Sequence, residues 1–240
     1  MSHYGHLLLF GRPAGGKSEF IEYLRAVDPR SRSERYRVGE IEVLSEYPWL
    51  LEEFALDDER ERDGQRRLHS VRSGGCYEIA NPEIFALLAD RIERTVSEEY
   101  ASRSGFYGTS TLLIEITRGG PTGYVDTLRR FSAGMLGRSA ILYVEVSFTE
   151  SWRRNLARGR EAARRGDPLR RVPQADMERF YRFDDWPTSI GSARDGFLKV
   201  NGVRIPYVTM NNEPETSDPF VLDDRYGAAM RRLADLAAAR

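Results

Sequence analysis

Short apolar runs recur along the chain, and segments with polar residues and helical spacing separate them. Runs of this length, bounded by Gly, Pro or polar residues, are typical of strands that are buried on both faces of a sheet. The five runs that we predict to be strands are residues 6–10, 37–44, 111–116, 140–146 and 205–210. Residues 197–204 indicate a hairpin or an extended loop.

Between the predicted strands, apolar residues recur every three or four positions, which indicates helices. The predicted helices are residues 19–25, about 50–68, a stretch capped at 81–82 that runs to about 100, 124–136, a stretch that starts at 151, 175–181 and 223–238. We expect residues 28–35 to form a polar loop and the charged run 57–67 to be a solvated helix face. Strands that alternate with helices imply a parallel sheet with helices on both faces. The fold class is therefore α/β, with a five-stranded parallel sheet in one domain over residues 1–240.

Composition narrows the class of protein. The 240 residues carry a formal net charge of −1, so no global field draws the chain to nucleic acid or to an anionic membrane. The single cysteine, Cys76, excludes an internal disulfide and fits a reducing cytoplasm, and we interpret it as a small packing residue rather than a nucleophile. The first apolar run is too short for a secretory signal, and no run is long enough to span a membrane. We expect a cytoplasmic location, and a homodimer is left open.

One motif lies between the first predicted strand and the first predicted helix. It fits G-x-x-x-x-G-K-[ST] at every fixed position, with Gly11, Arg12, Pro13, Ala14, Gly15, Gly16, Lys17 and Ser18, and Glu19 follows. In a strand–turn–helix context, the backbone N–H groups of such a loop point at phosphates, and the helix N-terminus adds partial positive charge. We expect Lys17 to reach the β- and γ-phosphate oxygens of ATP and Ser18 to bind Mg²⁺.

The choice of lysine strengthens this interpretation over a chance Gly-rich turn. Lysine occurs only at Lys17 and Lys199, so 34 of the 36 basic residues are arginine. A compact ammonium, rather than a guanidinium fork, is therefore what this position requires.

Two acids follow predicted strands at the edge where open α/β sheets bind ligands. Glu46 comes after the second strand and is flanked by Tyr47 and Trp49. Glu115 ends the apolar part of the third strand, as the carboxylate of a Walker-B strand does, and Arg118 follows it. The plainer interpretation of Glu115 is an acid at the rim of an ordinary buried strand.

Residues 151–182 differ from the rest of the chain, because they hold ten arginines against four acids. A solvated basic face would explain this composition. A helical, Arg-rich lid over the triphosphate, at about residues 151–186, would explain it as well. In that second interpretation Arg153, Arg154 and Arg158 lie nearest the phosphates, and Asn155 lies on a helix face near that of Arg158. Residues 164–168 form the loop of the lid, and residues 184–187 form its hinge.

The order of these features resembles the nucleoside and nucleotide kinase group of P-loop proteins. Gly11-x-Pro13 is similar to the Gly-x-Pro opening of that group, and Glu46-x-Pro48-Trp49 is similar to the Glu-Pro and downstream Trp of deoxynucleoside kinases. Glu115-x-x-Arg118 resembles their acid-Arg-Ser motif, with the Arg two positions late. The Asp-x-x-Gly and Asn-Lys-x-Asp signatures of switch GTPases are missing at the corresponding places.

The resemblance implies a kinase that moves the γ-phosphoryl group of ATP to a small acceptor. It implies Glu46 as the base or orienter of the acceptor, Glu115 as support for Mg²⁺, and Arg118 as the residue that holds the acceptor or a phosphate. Lys17, Arg153 and Arg158 would be further cations of the reaction. The last strand would be followed by a loop near the adenine. Two alternatives stay open: a regulatory module that only binds a nucleotide, and an ATPase that has no acceptor.

Overall fold

The computed structural model describes residues 3–73, 75–120, 123–166 and 171–239. Within them a six-stranded sheet has the order β2-β5-β1-β6-β8-β7, and a separate hairpin pairs β3 with β4. The strands are β1 (His6–Phe10), β2 (Glu40–Ser45), β3 (Ser70–Ser73), β4 (Cys76–Ile79), β5 (Ser110–Ile116), β6 (Ser139–Glu145), β7 (Asp195–Val200) and β8 (Val203–Asn211). All neighbours in the large sheet are parallel except β7 and β8.

Helices connect the parallel strands. They are α1 (Lys17–Ala26), α2 (Pro29–Tyr36), α3 (Tyr47–Arg62), α4 (Ile84–Thr95), α5 (Phe106–Thr109), α6 (Gly123–Arg130), α7 (Ala133–Gly137), α8 (Phe148–Arg164), α9 (Gln174–Asp176), α10 (Trp186–Ile190), α11 (Pro219–Leu222) and α12 (Ala228–Ala238). Single π-helical segments, Val96–Tyr100, Met177–Tyr181 and Asp223–Gly227, continue α4, α9 and α11. None of the helices described is long and apolar enough to cross a membrane.

The central strand β1 explains why the sheet is covered on both faces. Its alternate residues enter different cores: Leu8 and Phe10 pack on one face, and Leu7 and Leu9 pack on the other. The first core lies against α4 and α6, and the second lies against α1 and α12. A continuous apolar strand of this kind can be buried only in a sheet with helices on both sides.

The α/β class is confirmed, but the expected count of five strands is wrong. The five predicted strands are the parallel part of the sheet, and β7 adds a sixth strand antiparallel to β8. The hairpin interpretation of residues 197–204 is therefore correct. Asn201 and Gly202 connect the two strands with φ angles of 49° and 79°, the left-handed pair that a two-residue hairpin turn prefers.

The predicted polar loop at 28–35 is wrong, because these residues form α2. Asp28 caps the helix by accepting from Ser31 N at 2.9 Å, and Pro29 occupies the first turn. Arg32 is buried and donates to Leu24 O and Gly39 O. The Asp-Pro start was a visible helix signal that the polar composition outweighed.

Two other predicted elements differ from those observed. The predicted helix 124–136 is divided into α6 and α7, because Ser132 caps a new helix by accepting from Met135 N at 3.1 Å. The charged run 57–67 is not simply a solvated face, since Asp57 is completely buried.

A third, smaller core lies beside the sheet. It joins α3, β4, α4 and the π turn after α9 through residues that include Phe54, Ile79, Leu88, Phe180 and Tyr181. This cluster lies next to the carboxyl end of β2, where Glu46 begins α3. It therefore forms the far wall of the cavity that the sheet edge opens into.

Candidate functional site

The loop between β1 and α1 adopts a conformation that depends on its glycines. Gly11 and Gly16 have φ angles of 148° and 101°, and Ala14 is left-handed as well at 52°. A Cβ at Gly11 would meet Val144 O at 2.5 Å, and a Cβ at Gly16 would overlap the Asn212 amide. The close approach of neighbouring elements therefore fixes a compact loop at the N-terminus of α1, the form in which backbone N–H groups can accept phosphate.

Lys17 lies folded into this loop. It is 8% exposed, and its Nζ donates to Gly11 O at 2.8 Å and to Arg12 O at 3.1 Å. Burial lowers the pKa of Lys17 to about 8, although the Glu115 carboxylate opposes the shift. The ammonium is held by neutral carbonyls that a charged phosphate can replace.

Ser18 and Glu115 lie together at the mouth of the loop. Ser18 Oγ donates to Glu115 Oε1 at 3.3 Å, and both residues line the same cavity. One hydroxyl and one carboxylate are oxygen ligands of the kind Mg²⁺ takes when phosphates complete its shell. Among the residues described, no group of three or more His, Cys, Asp or Glu could hold a metal ion, so a metal here would depend on bound phosphate.

Residues far away in sequence brace the loop. Asn212 Nδ2 donates to Gly15 O at 2.9 Å, and Asn212 Oδ1 accepts from Arg225 Nη1 at 2.9 Å. The buried Ser151 hydroxyl donates to Pro13 O at 2.7 Å. The guanidinium of Arg12 points to the other side and pairs with Asp184 at 2.8 Å. Sequence analysis missed these braces, because no local pattern relates them to the motif.

The loop opens into a cavity of about 950 Å³. Its phosphate end is lined by residues 13–19, by Glu115 and by residues of α8. A second side is formed by Asn212, Glu215, Thr216, Ser217, Leu222 and Tyr226, so the segment after β8 lines the same cavity as residues 13–19. That this segment lies near an adenine stays a prediction. The third part, which we call the apolar chamber, has walls from α3, β4, α4 and the π turn after α9. The chamber residues are Glu46, Leu50, Leu51, Phe54, Cys76, Tyr77, Ile79, Phe85, Leu88, Asp176 and Tyr181.

Glu46 lies at the boundary between the phosphate end and the apolar chamber. Its Oε1 accepts from Thr117 N at 2.8 Å and from Arg118 Nη1 at 2.5 Å. Its Oε2 is buried and has no hydrogen-bond partner among the residues described. A buried carboxylate oxygen without a partner is costly, so this atom is suited to a ligand hydroxyl.

Arg118 lies behind Glu46 and not in the cavity. It is 1% exposed, donates from Nε to Thr127 Oγ1 at 3.0 Å and from Nη2 to Phe85 O at 3.2 Å, and is not a lining residue. The expectation that Arg118 holds the acceptor or a phosphate is therefore revised. It is a positioning residue that fixes the Glu46 carboxylate.

The apolar chamber has two further polar groups. Asp176 is 4% exposed, and its two oxygens share one donor, Ile79 N, at 3.2 and 3.1 Å. Burial raises the pKa of Asp176 to about 6. Tyr181 is also buried, desolvation raises its pKa, and Glu46 and Asp176 both lie close enough to affect it.

The hairpin of β3 and β4 is fixed over the chamber by two aspartates on α3. Asp57 accepts from Leu68 N, His69 N and Ser70 N at 2.7–2.8 Å. Asp58 accepts from Tyr77 Oη at 2.5 Å and from Arg67 at 2.6 Å. Two aspartates of the charged run thus accept the hydrogen bonds that hold the hairpin in place. The alternation of charges along the sequence does not reveal this structural role.

The arginines of α8 have different surroundings. Arg158 is exposed, lines the cavity, and lies near enough to Lys17 to lower its pKa. Arg154 is buried in the lining and donates to Asn212 O at 2.8 Å. Arg153 is not a lining residue; it pairs with Glu150 at 2.7 Å and with Glu215. Of the predicted cations on this helix, Arg158 is therefore the one that faces the cavity without a partner among the residues described.

The predicted lid is in large part an anchored wall. Asn155 is buried and exchanges two hydrogen bonds with the backbone of Val172. The predicted hinge at 184–187 contains Trp186, which is 1% exposed and stacks on Tyr143 at 5.3 Å, and Asp185, which caps α6 through Tyr124 N at 2.9 Å. These contacts attach the segment to the sheet and to α6, and a hinge at this place stays a prediction. Within the predicted loop 164–168, residues 167 and 168 lie outside the described residues.

No family profile matches this chain, and no curated protein matches its sequence. Among solved structures, it is similar to a sugar kinase from Janibacter sp. HTCC2649, with 14% identity, a TM-score of 0.42 and coverage of 100% of this chain and 98% of that chain. It is similar to a protein from Chloroflexus aurantiacus J-10-fl, provisionally described as a kinase, with 15% identity, a TM-score of 0.42 and coverage of 94% and 98%. It is also similar to TT1252 from Thermus thermophilus, with 16% identity, a TM-score of 0.39 and coverage of 99% and 97%. Likenesses at this level support no conclusion about activity, so the kinase resemblance remains a prediction.

Proposed function

We propose that this protein is an ATP-dependent phosphotransferase that moves the γ-phosphoryl group of ATP to a hydroxyl group of a small acceptor. One observation carries the proposal. A single cavity has Lys17, Ser18 and Glu115 at one end and, at the entrance to an apolar chamber, Glu46, whose buried Oε2 has no hydrogen-bond partner among the residues described. A simple nucleotide binder needs the first group and has no use for the second.

The phosphate end supplies charge and position. The loop of residues 11–18 binds the phosphates through its backbone N–H groups, and Lys17 exchanges its two carbonyl partners for phosphate oxygens. Ser18 and Glu115 would hold Mg²⁺, which neutralises charge on the β- and γ-phosphate oxygens when it is bound. Arg158 meets the transferring group from α8. Phosphoryl transfer requires mainly positioning and neutralisation, which these groups provide.

Glu46 acts on the acceptor. Its Oε2 accepts the hydroxyl proton while the acceptor oxygen forms a bond to the γ-phosphorus. The bond between that phosphorus and the β–γ bridging oxygen breaks, and its electron pair leaves with ADP. The products are a phosphate monoester, ADP and the proton held by Glu46. Thr117 N and Arg118 fix Oε1 throughout, so the orientation of the reacting oxygen is set before the acceptor binds.

The test is transfer of label from γ-labelled ATP, with Mg²⁺, to a panel of nucleosides, nucleotides, sugars and small alcohols. We expect label in one acceptor class and none with Lys17→Ala. Label released only as inorganic phosphate would identify an ATPase and overturn the proposal. Bound ATP with no release of label would identify a regulatory module.

A further inference from the structure

We infer that the apolar chamber accepts an unphosphorylated, uncharged or cationic hydroxyl compound, and that it excludes acceptors which carry a phosphate or a carboxylate. This inference rests on the proposed function and names the class of its acceptor. It separates a kinase of alcohols from a kinase of phosphorylated compounds, a choice that the P-loop itself leaves open.

The first support is the distribution of charge in the cavity. The cationic lining residues belong to the P-loop, α8 and the segment that follows it: Lys17, Arg154, Arg158 and Arg171. Arg171 lies along α8, with Cβ and Cγ 3.0 Å from the position of a Cβ on Gly159. The residues that define the apolar chamber include no cation. Two arginines lie just outside it: Arg118 is buried against Glu46, and Arg179 donates to Ile79 O at 3.3 Å and lies near enough to Asp176 to oppose the rise in its pKa.

The second support is the polar groups that the chamber does contain. Glu46 Oε2 has no donor, and the two oxygens of Asp176 share one backbone N–H between them. Both carboxylates retain lone pairs for a ligand that donates O–H or N–H groups. A phosphate or carboxylate placed here would face these oxygens in a low-dielectric space. The arginines close to them already have partners, Arg118 in Glu46 and Arg179 in Ile79 O, so burial of a further anion is strongly unfavourable.

The third support is that apolar and aromatic side chains form the walls of the chamber. The ring centroids of Phe54 and Tyr77 are 5.4 Å apart, and those of Phe85 and Phe180 are also 5.4 Å apart in an edge-to-face contact. Leu50, Leu51 and Leu88 complete an apolar surface. Such walls favour a flat or apolar body, with Glu46 at its reacting hydroxyl and Asp176 at a second donor group.

Cys76 offers a test that needs no knowledge of the acceptor. It is the only cysteine of the chain, is half-buried, and lines the chamber. We would measure its reaction rates with methanethiosulfonates of three charges: 2-aminoethyl (cationic), methyl (neutral) and 2-sulfonatoethyl (anionic). Each rate is divided by the rate of the same reagent with an unstructured single-cysteine peptide.

We expect the cationic reagent to react at least about tenfold faster than the anionic one after this normalisation, as a cleft of one charge sign selects its counter-ion. Asp176→Asn, which keeps an acceptor for Ile79 N, should lower that ratio severalfold. Glu178→Gln, an exposed carboxylate of the same turn, is the matched control and should leave the ratio unchanged. A ratio at or below one in the unmodified protein would overturn the inference.

A second experiment keeps this inference distinct from the proposed kinase activity. The γ-labelled ATP assay is run with matched pairs, each nucleoside or sugar beside its monophosphate. Label in the unphosphorylated member of a pair and not in its monophosphate supports the inference, and equal label in both members contradicts the exclusion of phosphorylated acceptors. Label in the monophosphate alone overturns it and leaves the kinase proposal standing. A cationic preference at Cys76 together with ATP hydrolysis but no labelled acceptor contradicts the kinase proposal, and the inference about its acceptor fails with it.

Discussion

The phosphate end and the apolar chamber of the same cavity are built in opposite ways. The consecutive residues 13–19 form most of the lining of the phosphate end, and in our proposal the backbone of this loop binds the phosphates. The chamber takes its walls from α3, β4, α4 and the π turn after α9, and in our proposal its side chains bind the acceptor. The first region is cationic and the second is apolar with open carboxylates. Phosphate groups are alike in charge and shape, so one loop that is local in sequence can bind them. A particular acceptor differs from others in shape, so its recognition requires walls from several elements.

The largest expected effect tests the phosphate end. Lys17→Ala should lower ATP-dependent turnover about 10³-fold or more, because the ammonium supplies charge that no other lining group can place at the same position. The fold should persist, since Lys17 contacts only loop carbonyls. Steady-state kinetics and thermal unfolding check both statements. The matched control is Lys199→Ala, at the exposed second lysine of the chain, and turnover by Lys17→Ala close to that of the control would refute the phosphate assignment.

The next effect tests the boundary between the two regions. Glu46→Gln keeps the shape of the side chain and removes its charge, so kcat should fall about 10²-fold while ATP affinity is kept. Glu40→Gln, at an exposed position at the start of β2, the strand that precedes Glu46, is the control. Steady-state kinetics give kcat, and a separate binding titration with ATP gives the affinity. A kcat within about threefold of the unmodified enzyme would reduce Glu46 to a structural residue.

A smaller effect distinguishes the arginines of α8. Arg158→Ala should lower kcat about tenfold with a lesser change in the KM for ATP, since an exposed cation acts mainly on charge that develops during transfer. Arg160→Ala on the same helix is the control, because Arg160 is exposed and does not line the cavity. Equal kinetics of the two variants would favour a solvated basic face.

The same region can be probed without an acceptor. If α8 closes further over a bound nucleotide, trypsin should cut more slowly after Arg164 and Arg165 when a non-hydrolysable ATP analogue is present. Unchanged cutting would leave α8 as the anchored wall that the hydrogen bonds of Asn155 describe.

The smallest effect follows from the pKa of Lys17, which is lowered to about 8 in the free protein. The triphosphate binds the protonated form, so affinity is constant below this pKa and falls as the pH rises through it. Between pH 7 and 8.5 the decrease should be about fourfold. Calorimetric titration of ATP measures it. Lys17→Arg stays charged over this range, so it should bind ATP more weakly than the unmodified protein but with a flat pH profile. A flat profile in the unmodified protein would contradict the shift.

Local patterns in the sequence were sufficient for the parallel strands and for the strand, turn and helix around residues 11–18. The spacing from Gly11 to Ser18, placed between an apolar run and an amphipathic one, predicted a strand, a turn and a helix, and the structure has β1 and α1 there. Glu46 and Glu115 were recognised because the end of a parallel strand fixes the edge of the sheet on which its last residues lie. Each of these inferences requires only the pattern of residues that are close together in the sequence.

The tertiary structure decided everything that depends on which elements pack together. Asn212 and Ser151 brace the P-loop from 197 and 138 residues away, and Asp176 enters the chamber by bonding to Ile79 across 97 residues. Arg118 was expected in the cavity and lies behind Glu46, since its guanidinium completes a buried pair. The strength of an interaction depends on distance and burial in space, and a sequence pattern determines these only between residues that are close along the chain.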